Sequence, residues 1–490
     1  MTRRFSLPRA LAALLGLALL PTLAACEVAP ATGRTIFTGG LSAEDEARLG
    51  YQEHQKIVPQ FGGVYAEDAA LTAYVQSLGE FLAQTSETPE TDFTFTVLDS
   101  PIVNAFALPG GYVYVTRGLL ALADNEAQLA GVLAHEIGHV TARHSAERYG
   151  QTVAANVAGI GLGLLLGSDL ASNAFGTAAG LALRSYSREQ EHEADLLGIR
   201  YLSRAGFDPG AMAGFLAKLE ALRRVEAAME GESADQTSLL STHPRTADRV
   251  ARTLEEASVT RVADPIVGRD VYLEKIDGIL YGDNPEEGVI RGRRFLHPAL
   301  RFAFEVPEGF TLRNAPERVT AVGPGESGIL FDRVTGRGGV SMTAFLTRVW
   351  AEGVNLRDVE AITVNGMEAA TGWTRVETRS GPRDLRLVAI RADRDSIYRF
   401  LFVSPPEATA RLSGPFRETT YSFRRLSPAE AAAITPQRLR IHRVRAGETV
   451  ESLAARTPFG KFAATRFRVL NGLPEGAVLQ PGDRVKLVVD

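Results

Sequence analysis

Cysteine occurs once in the 490 residues, at Cys26. No intramolecular disulfide can form, and a structural zinc site built on thiolates is excluded. Any metal in this chain must be held by histidine and carboxylate. An excess of basic charge is also missing: 53 Lys and Arg stand against 58 Asp and Glu, a net charge of −5. That excludes the electrostatic footprint of a nucleic-acid binder, so no nucleic-acid partner is expected. The 47 Gly and 24 Pro follow no collagen-like period. Beyond the first 25 residues, long apolar runs are lacking too. The best candidate, residues 153–168, has 16 residues and contains Asn156 and several glycines. It falls short of the ~20 residues that a bilayer crossing needs. Residues 153–183, with Asp169 as their one charge, are expected to form a helical hairpin packed on a core. The alternative is a hairpin that touches a membrane or a partner. What remains is ordinary for folded soluble protein, 45% hydrophobic and 23% charged. The length suits about three domains.

Residues 1–25 read as an export signal, with Arg3, Arg4 and Arg9 ahead of an uncharged apolar stretch. Leu23-Ala24-Ala25-Cys26 resembles a bacterial lipobox, which implies lipidation at Cys26. The residue that follows is Glu27 and not Asp; the resemblance then implies an outer-membrane lipoprotein facing the periplasm. Residues 26–41, with Pro30 and Gly33, are expected to be a tether.

Ser42-Ala43-Glu44-Asp45 has the shape of a capping box, and helical spacing follows to about 57 and through 66–85. Strands are expected at 93–98 and 111–115. Asp124 is placed to cap a helix running to about 149. Further helices are expected at about 187–204, 209–229 and up to 256. From about 265 the pattern turns to hairpins, with Asn365-Gly366 the strongest turn signal. Residues 265–430 read as a separate α+β domain without a chemical motif. His297 within it is expected to be structural.

Five of the eight histidines lie between 135 and 243. His135-Glu136-Ile137-Gly138-His139 puts two imidazoles four apart on one helical face, where both reach one ion. Glu136 can then hold the water at that ion. Downstream, Glu191 and Asp195 are again four apart. Two His and one Glu make a catalytic zinc set with a position left for water. Glu189 and Glu193 compete with Glu191 for the ligand role, but only Glu191 has Asp at i+4. Asp195 is placed to accept from a ligating imidazole and fix its tautomer. His144 falls about 180° from His135 on a regular helix and is read as structural, paired with a carboxylate. His192 is expected at the surface. His243, in Thr242-His243-Pro244, either stabilises an oxyanion or fills the fourth zinc position and shuts the site. Arg249 binds substrate or braces the loop.

Together these motifs, with Asn104 to Gly111 before the first helix, resemble metallopeptidase family forty-eight, the HtpX, CAAX prenyl endopeptidase and BepA-like gluzincin zinc proteases. The resemblance covers about residues 42–257. It implies one zinc on His135, His139 and Glu191, with Glu136 as general base and His243 as a recurrent family histidine. HtpX and the prenyl endopeptidase have membrane spans, from which this chain departs. Residues 437–490 resemble a LysM domain, a β-α-α-β unit that binds glycans containing N-acetylglucosamine. They carry ten Lys and Arg against five Asp and Glu.

The expected architecture is therefore multidomain: a mainly α-helical gluzincin peptidase domain with a small sheet, an α+β domain, and a LysM-like domain. The expected activity is zinc-dependent endopeptidase, with unfolded or misassembled envelope proteins as substrates. An extended substrate is expected to pair with Gly111, Tyr112 and Val113. The alternatives are an envelope chaperone or scaffold whose zinc site His243 keeps closed, and a hydrolase that binds peptidoglycan.

Overall fold

The computed structural model describes residues 26–153, 185–230, 243, 247–335, 339–378 and 380–490. The expected hairpin over 153–183 lies, apart from Val153, outside them. The chain forms two compact units: residues up to 59 with 63–279 and 439–489, and residues 60–62 with 280–438 and 490.

In the first unit, β1 (Cys26–Val28) and β2 (Thr35–Phe37) form an antiparallel hairpin. The expected tether is thus a docked element. Ala29 and Ile36 are buried, and Arg143 bonds Glu27, Glu46 and Leu41 O across it. Helices α1 (Ala43–Gln60) and α2 (Ala69–Ala83) follow. A three-stranded sheet has the order β3 (Thr94–Leu98), β5 (Tyr112–Thr116), β4 (Ala105–Leu108). Helix α3 (Arg117–Leu122) leads to α4 (Glu126–Thr141), and α5 (Arg188–Arg204), α6 (Gly210–Glu230), α7 (Ala247–Val259) and α8 (Arg269–Ile276) complete the helical layer.

The α4 cap departs from expectation. Asn125, not Asp124, accepts from the Gln128 amide at 2.8 Å. Asp124 is instead held between two buried lysines. Lys486 donates to its carboxylate at 3.1 Å, and Lys218 of α6 pairs with it as well. Lys486 also donates to the carbonyls of Ala121, Leu122 and Ala123, at 3.1, 2.8 and 2.8 Å. It thereby closes the C-terminal end of α3, where carbonyls lack helical partners.

The second unit contains β6 (Leu280–Tyr281), β7 (Val289–Arg291), β8 (Arg294–His297) and β9 (Phe302–Glu305), and an antiparallel seven-stranded sheet of order β10-β11-β12-β16-β15-β14-β13. Those strands are β10 (Thr311–Ala315), β11 (Arg318–Val322), β12 (Gly328–Thr335), β13 (Arg357–Val364), β14 (Met367–Thr378), β15 (Gly381–Arg391) and β16 (Ser396–Ser404). Phe302, Phe304, Phe331, Phe400 and Phe423 centre its core. Asn365-Gly366 makes the expected hairpin turn, with φ of 45° and 82° and Val364 opposite Met367. His297 is structural, accepting from the Leu300 amide at 3.2 Å. The α+β unit begins at 280 and not at 265: α8 belongs to the first unit, where Tyr272 is buried and donates to Leu120 O at 2.6 Å. Residues 437–490 run strand (Gln437–Arg443), helix (Val450–Ala454), helix (Ala463–Leu470), strand (Arg484–Val489).

Candidate metal centre

Helices α4 and α5 meet at the site. They approach closely because glycine stands at the contact. A Cβ on Gly138 would sit 3.1 Å from Ala194 O, and one on Gly198 would sit 3.3 Å from the His135 amide nitrogen. The i,i+4 pairs His135/His139 and Glu191/Asp195 thus face each other.

His135 Nε2 lies 3.1 Å from His139 Nε2 and 3.3 Å from His243 Nδ1. Glu191 Oε1 lies 2.8 Å from His243 Nδ1 and 3.5 Å from His139 Nε2. Donors at the corners of a tetrahedron with zinc bonds of about 2.0–2.1 Å would be about 3.3 Å apart. All four residues are buried, and each has a ligand atom within 4.8 Å of those of the others. Imidazole and carboxylate are zinc donors.

Glu136 gives the independent test of fit. It is fully buried, and among the described residues neither of its carboxylate oxygens accepts a hydrogen bond. His243 Nε2 lies 3.4 Å from its Oε1. A buried carboxylate without donors is costly, and a cation with its water supplies what is missing. A cavity of about 30 Å³ touches His135, Glu136 and His243, enough for one water. These residues fit one Zn²⁺.

Burial and the surrounding charges favour the ligand states of His139 and Glu191. Burial pushes His139 well below its ordinary pKa, so it is the neutral, ligating imidazole. Burial would raise Glu191, but the charges of His243 and Arg249 prevail and hold it well below the usual carboxylate range. Burial likewise opposes the ionised Asp195, and Arg249 outweighs it. For His243, burial acts downward, yet Glu191 and Glu136 raise it overall. Arg249 forms a fork on Asp195, with Nε–Oδ2 at 2.6 Å and Nη2–Oδ1 at 2.7 Å, and also pairs with Glu191. Asp195 in turn lies 3.0 Å from His135 Nδ1.

Residues 69–257 match the description Peptidase family M48. Over 241 residues the chain is 31% identical to the mitochondrial metalloendopeptidase OMA1 of Schizosaccharomyces pombe, taking in 48% of this chain and 68% of that protein. The chain belongs to peptidase family M48. It is also 38% identical over 217 residues to the beta-barrel assembly-enhancing protease of Escherichia coli K12, covering 42% of this chain and 43% of that protein. The same-named protein of Yersinia pestis is 40% identical over 164 residues, covering 31% and 33%. The chain thus spans less than half the length of these two bacterial relatives.

In this M48 chain the structure brings together His135, Glu136, His139, Glu191, Asp195, His243 and Arg249. Arg249 braces the carboxylates of Glu191 and Asp195. Glu189 is exposed, and Glu193 turns to His144, with Oε2 2.9 Å from Nε2. His192 is half-buried and not among the clustered donors.

Two expectations are corrected. Gly111, Tyr112 and Val113 cannot offer a free strand edge: β5 is the central strand, hydrogen-bonded to β3 and β4 on its two sides. The regular helix that sets His144 about 180° from His135 does not extend to it, while the expected pairing with a carboxylate is made with Glu193. The helix breaks after Thr141, Arg143 takes φ of 56°, and His144 Nδ1 comes within 2.8 Å of His139 Nδ1. The spacing of the sequence missed Tyr186, whose ring stacks on His139 with centroids 3.8 Å apart. Its one signal was its place beside Ser187, the cap of α5.

Proposed function

We propose that the chain is a zinc endopeptidase of the bacterial envelope, held latent here by His243. The observation that carries this reading is Glu136, a buried carboxylate without a hydrogen-bond donor among the described residues, set beside three zinc-type ligands. A purely structural metal site has no need of such a group.

His135, His139 and Glu191 would hold the ion. When bound, zinc supplies Lewis acidity that acidifies water and polarises the scissile carbonyl. Glu136 takes the proton of the attacking water and later passes it to the leaving amine. Asp195 keeps the proton of His135 on Nδ1, and Arg249 keeps both carboxylates ionised. His243 lies against Glu191 and would take the place of a fourth ligand, so turnover would require it to swing away; once moved, it would be a donor for the oxyanion. This same contact favours the second reading, a client-binding chaperone with a closed site.

Strand β4 stands at the end of its sheet among the described residues. It is the strand to which an extended substrate would add. Unfolded or misassembled envelope proteins suit that mode, and the E. coli relative's name, beta-barrel assembly-enhancing protease, favours outer-membrane proteins in assembly. The lipobox resemblance at Cys26 supports an outer-membrane anchor facing the periplasm. Among the described residues no helix is long and apolar enough to cross a membrane. The β-α-α-β order and basic balance of residues 437–490 support a LysM-like contact with peptidoglycan.

Cleavage of an unfolded protein by the zinc-loaded chain tests the reading. Glu136→Gln is expected to lower the rate by about 10²–10⁴-fold while zinc stays bound, and His243→Ala to raise it. Zinc binding without cleavage by either the parent or His243→Ala would favour the chaperone.

A further inference from the structure

We propose that His144 and Glu193 are positioning residues for the metal ligand His139, forming a two-step relay that the N-terminal hairpin clamps through Arg34. The proposal rests on the zinc-site reading above and extends it to residues outside the ligand set.

The hydrogen positions follow from the distances. His139 turns Nε2 to the ligand cluster, so its Nδ1 faces away. A neutral imidazole that ligates through Nε2 carries its hydrogen on Nδ1. That hydrogen points at His144 Nδ1, 2.8 Å away. His144 Nδ1 must then accept, which leaves its own hydrogen on Nε2. Nε2 in turn lies 2.9 Å from Glu193 Oε2, and the carboxylate accepts. Arg34 Nη2 lies 3.1 Å from the same oxygen and also bonds Glu147 at 3.0 Å. Each link has one allowed direction, so the chain fixes the tautomers of two imidazoles.

The two metal histidines are thus held differently. His135 donates directly to a carboxylate, Asp195. His139 reaches its carboxylate through a second imidazole, a weaker acceptor than a carboxylate. The ring plane of His139 is fixed independently by Tyr186, and the Arg148 guanidinium lies 3.7 Å from the centroid of the Tyr186 ring. The relay is possible because of the break at Arg143, which turns His144 back behind His139. His144 is fully buried, so bulk water does not stand in for it. Without it the His139 Nδ1–H is stranded. Arg34 is partly exposed, and a surface ion pair contributes little by itself; its part is to hold Glu193 in place.

The test uses the full chain. Zinc affinity is measured by competition with a chelator, the visible spectrum is recorded with Co²⁺, and stability of the metal-free chain is measured in urea. His144→Leu is expected to weaken zinc by about 10–100-fold and to change the Co²⁺ spectrum, with a smaller effect on metal-free stability. His144→Gln, whose amide offers both an acceptor and a donor, is expected to restore most of the affinity. Glu193→Met, which leaves His144 without its acceptor, is expected to lose part of it and serves if His144→Leu does not fold. Parent-like zinc binding in both His144→Leu and Glu193→Met overturns the proposal. So does equal loss in the Leu and Gln variants, or a loss that only tracks metal-free stability. If the parent binds neither Zn²⁺ nor Co²⁺, the metal-site reading itself falls, and the relay with it.

Discussion

Arg249 faces two carboxylates at once, a fork on Asp195 and an ion pair on Glu191. The planar guanidinium matches this geometry, whereas an ammonium is a point charge. Arg249→Lys should therefore keep the charge and lose the fork. We expect zinc affinity to fall about tenfold or more, read by chelator competition. The pairing of His135 with His139 and of Glu191 with Asp195 was legible in the sequence because one helical face is local: positions i and i+4 suffice. The fork was not, because Arg249 is 54 residues from Asp195 and only the fold joins them. The carboxylate partner of His144 was anticipated, but its place against His139 was not. Its place depends on a left-handed, non-glycine residue, Arg143, which its own bonds to Glu27 and Glu46 hold in that conformation.

At the scale of elements, α4 begins at a cap that spacing misplaced by one residue. Both Asp124 and Asn125 are good capping types. The choice between them was made by Lys218 and Lys486, which claim the Asp124 carboxylate. Asn125→Ala should cost about 1 kcal/mol, measured as a lower urea midpoint of the first unit. Elsewhere, local chemistry was enough. Asn365-Gly366 set the β13–β14 register because both turn residues need positive φ, and both have it. Strands β10 to β12 were not anticipated, although Gly323-Pro324-Gly325 marks the turn between β11 and β12. The boundary at 265 failed because α8, an ordinary short helix by sequence, buries Tyr272 in the peptidase unit.

For the molecule, the consequential contact is the one that makes residues 439–489 part of the peptidase unit. Burying an ammonium is costly unless it is paired and hydrogen-bonded. Lys486 and Lys218 meet that condition through one shared carboxylate and through backbone carbonyls. Burial, reinforced by the neighbouring Lys486, pushes Lys218 well below its ordinary pKa, and burial lowers Lys486 too. Two cations and one anion predict an order of effects. Asp124→Asn leaves two buried ammoniums facing each other and should cost about 3–5 kcal/mol. Lys486→Met leaves carbonyls unpaired but relieves that repulsion, and should cost about 1–3 kcal/mol. Urea unfolding of the two variants would show that order, or the reverse if the carbonyl contacts dominate.

The docked hairpin at the other end of this unit has a mechanical consequence. Cys26 is the first residue of β1, opposite Phe37, and Glu27 is already pinned by Arg143 at the end of the metal helix. An extended linker gives ~3.3–3.6 Å of reach per residue; here that slack has been folded away. Acylated at Cys26, the chain would have almost no leash. It would ride at a set height and heading over the bilayer, and substrates would have to come to it.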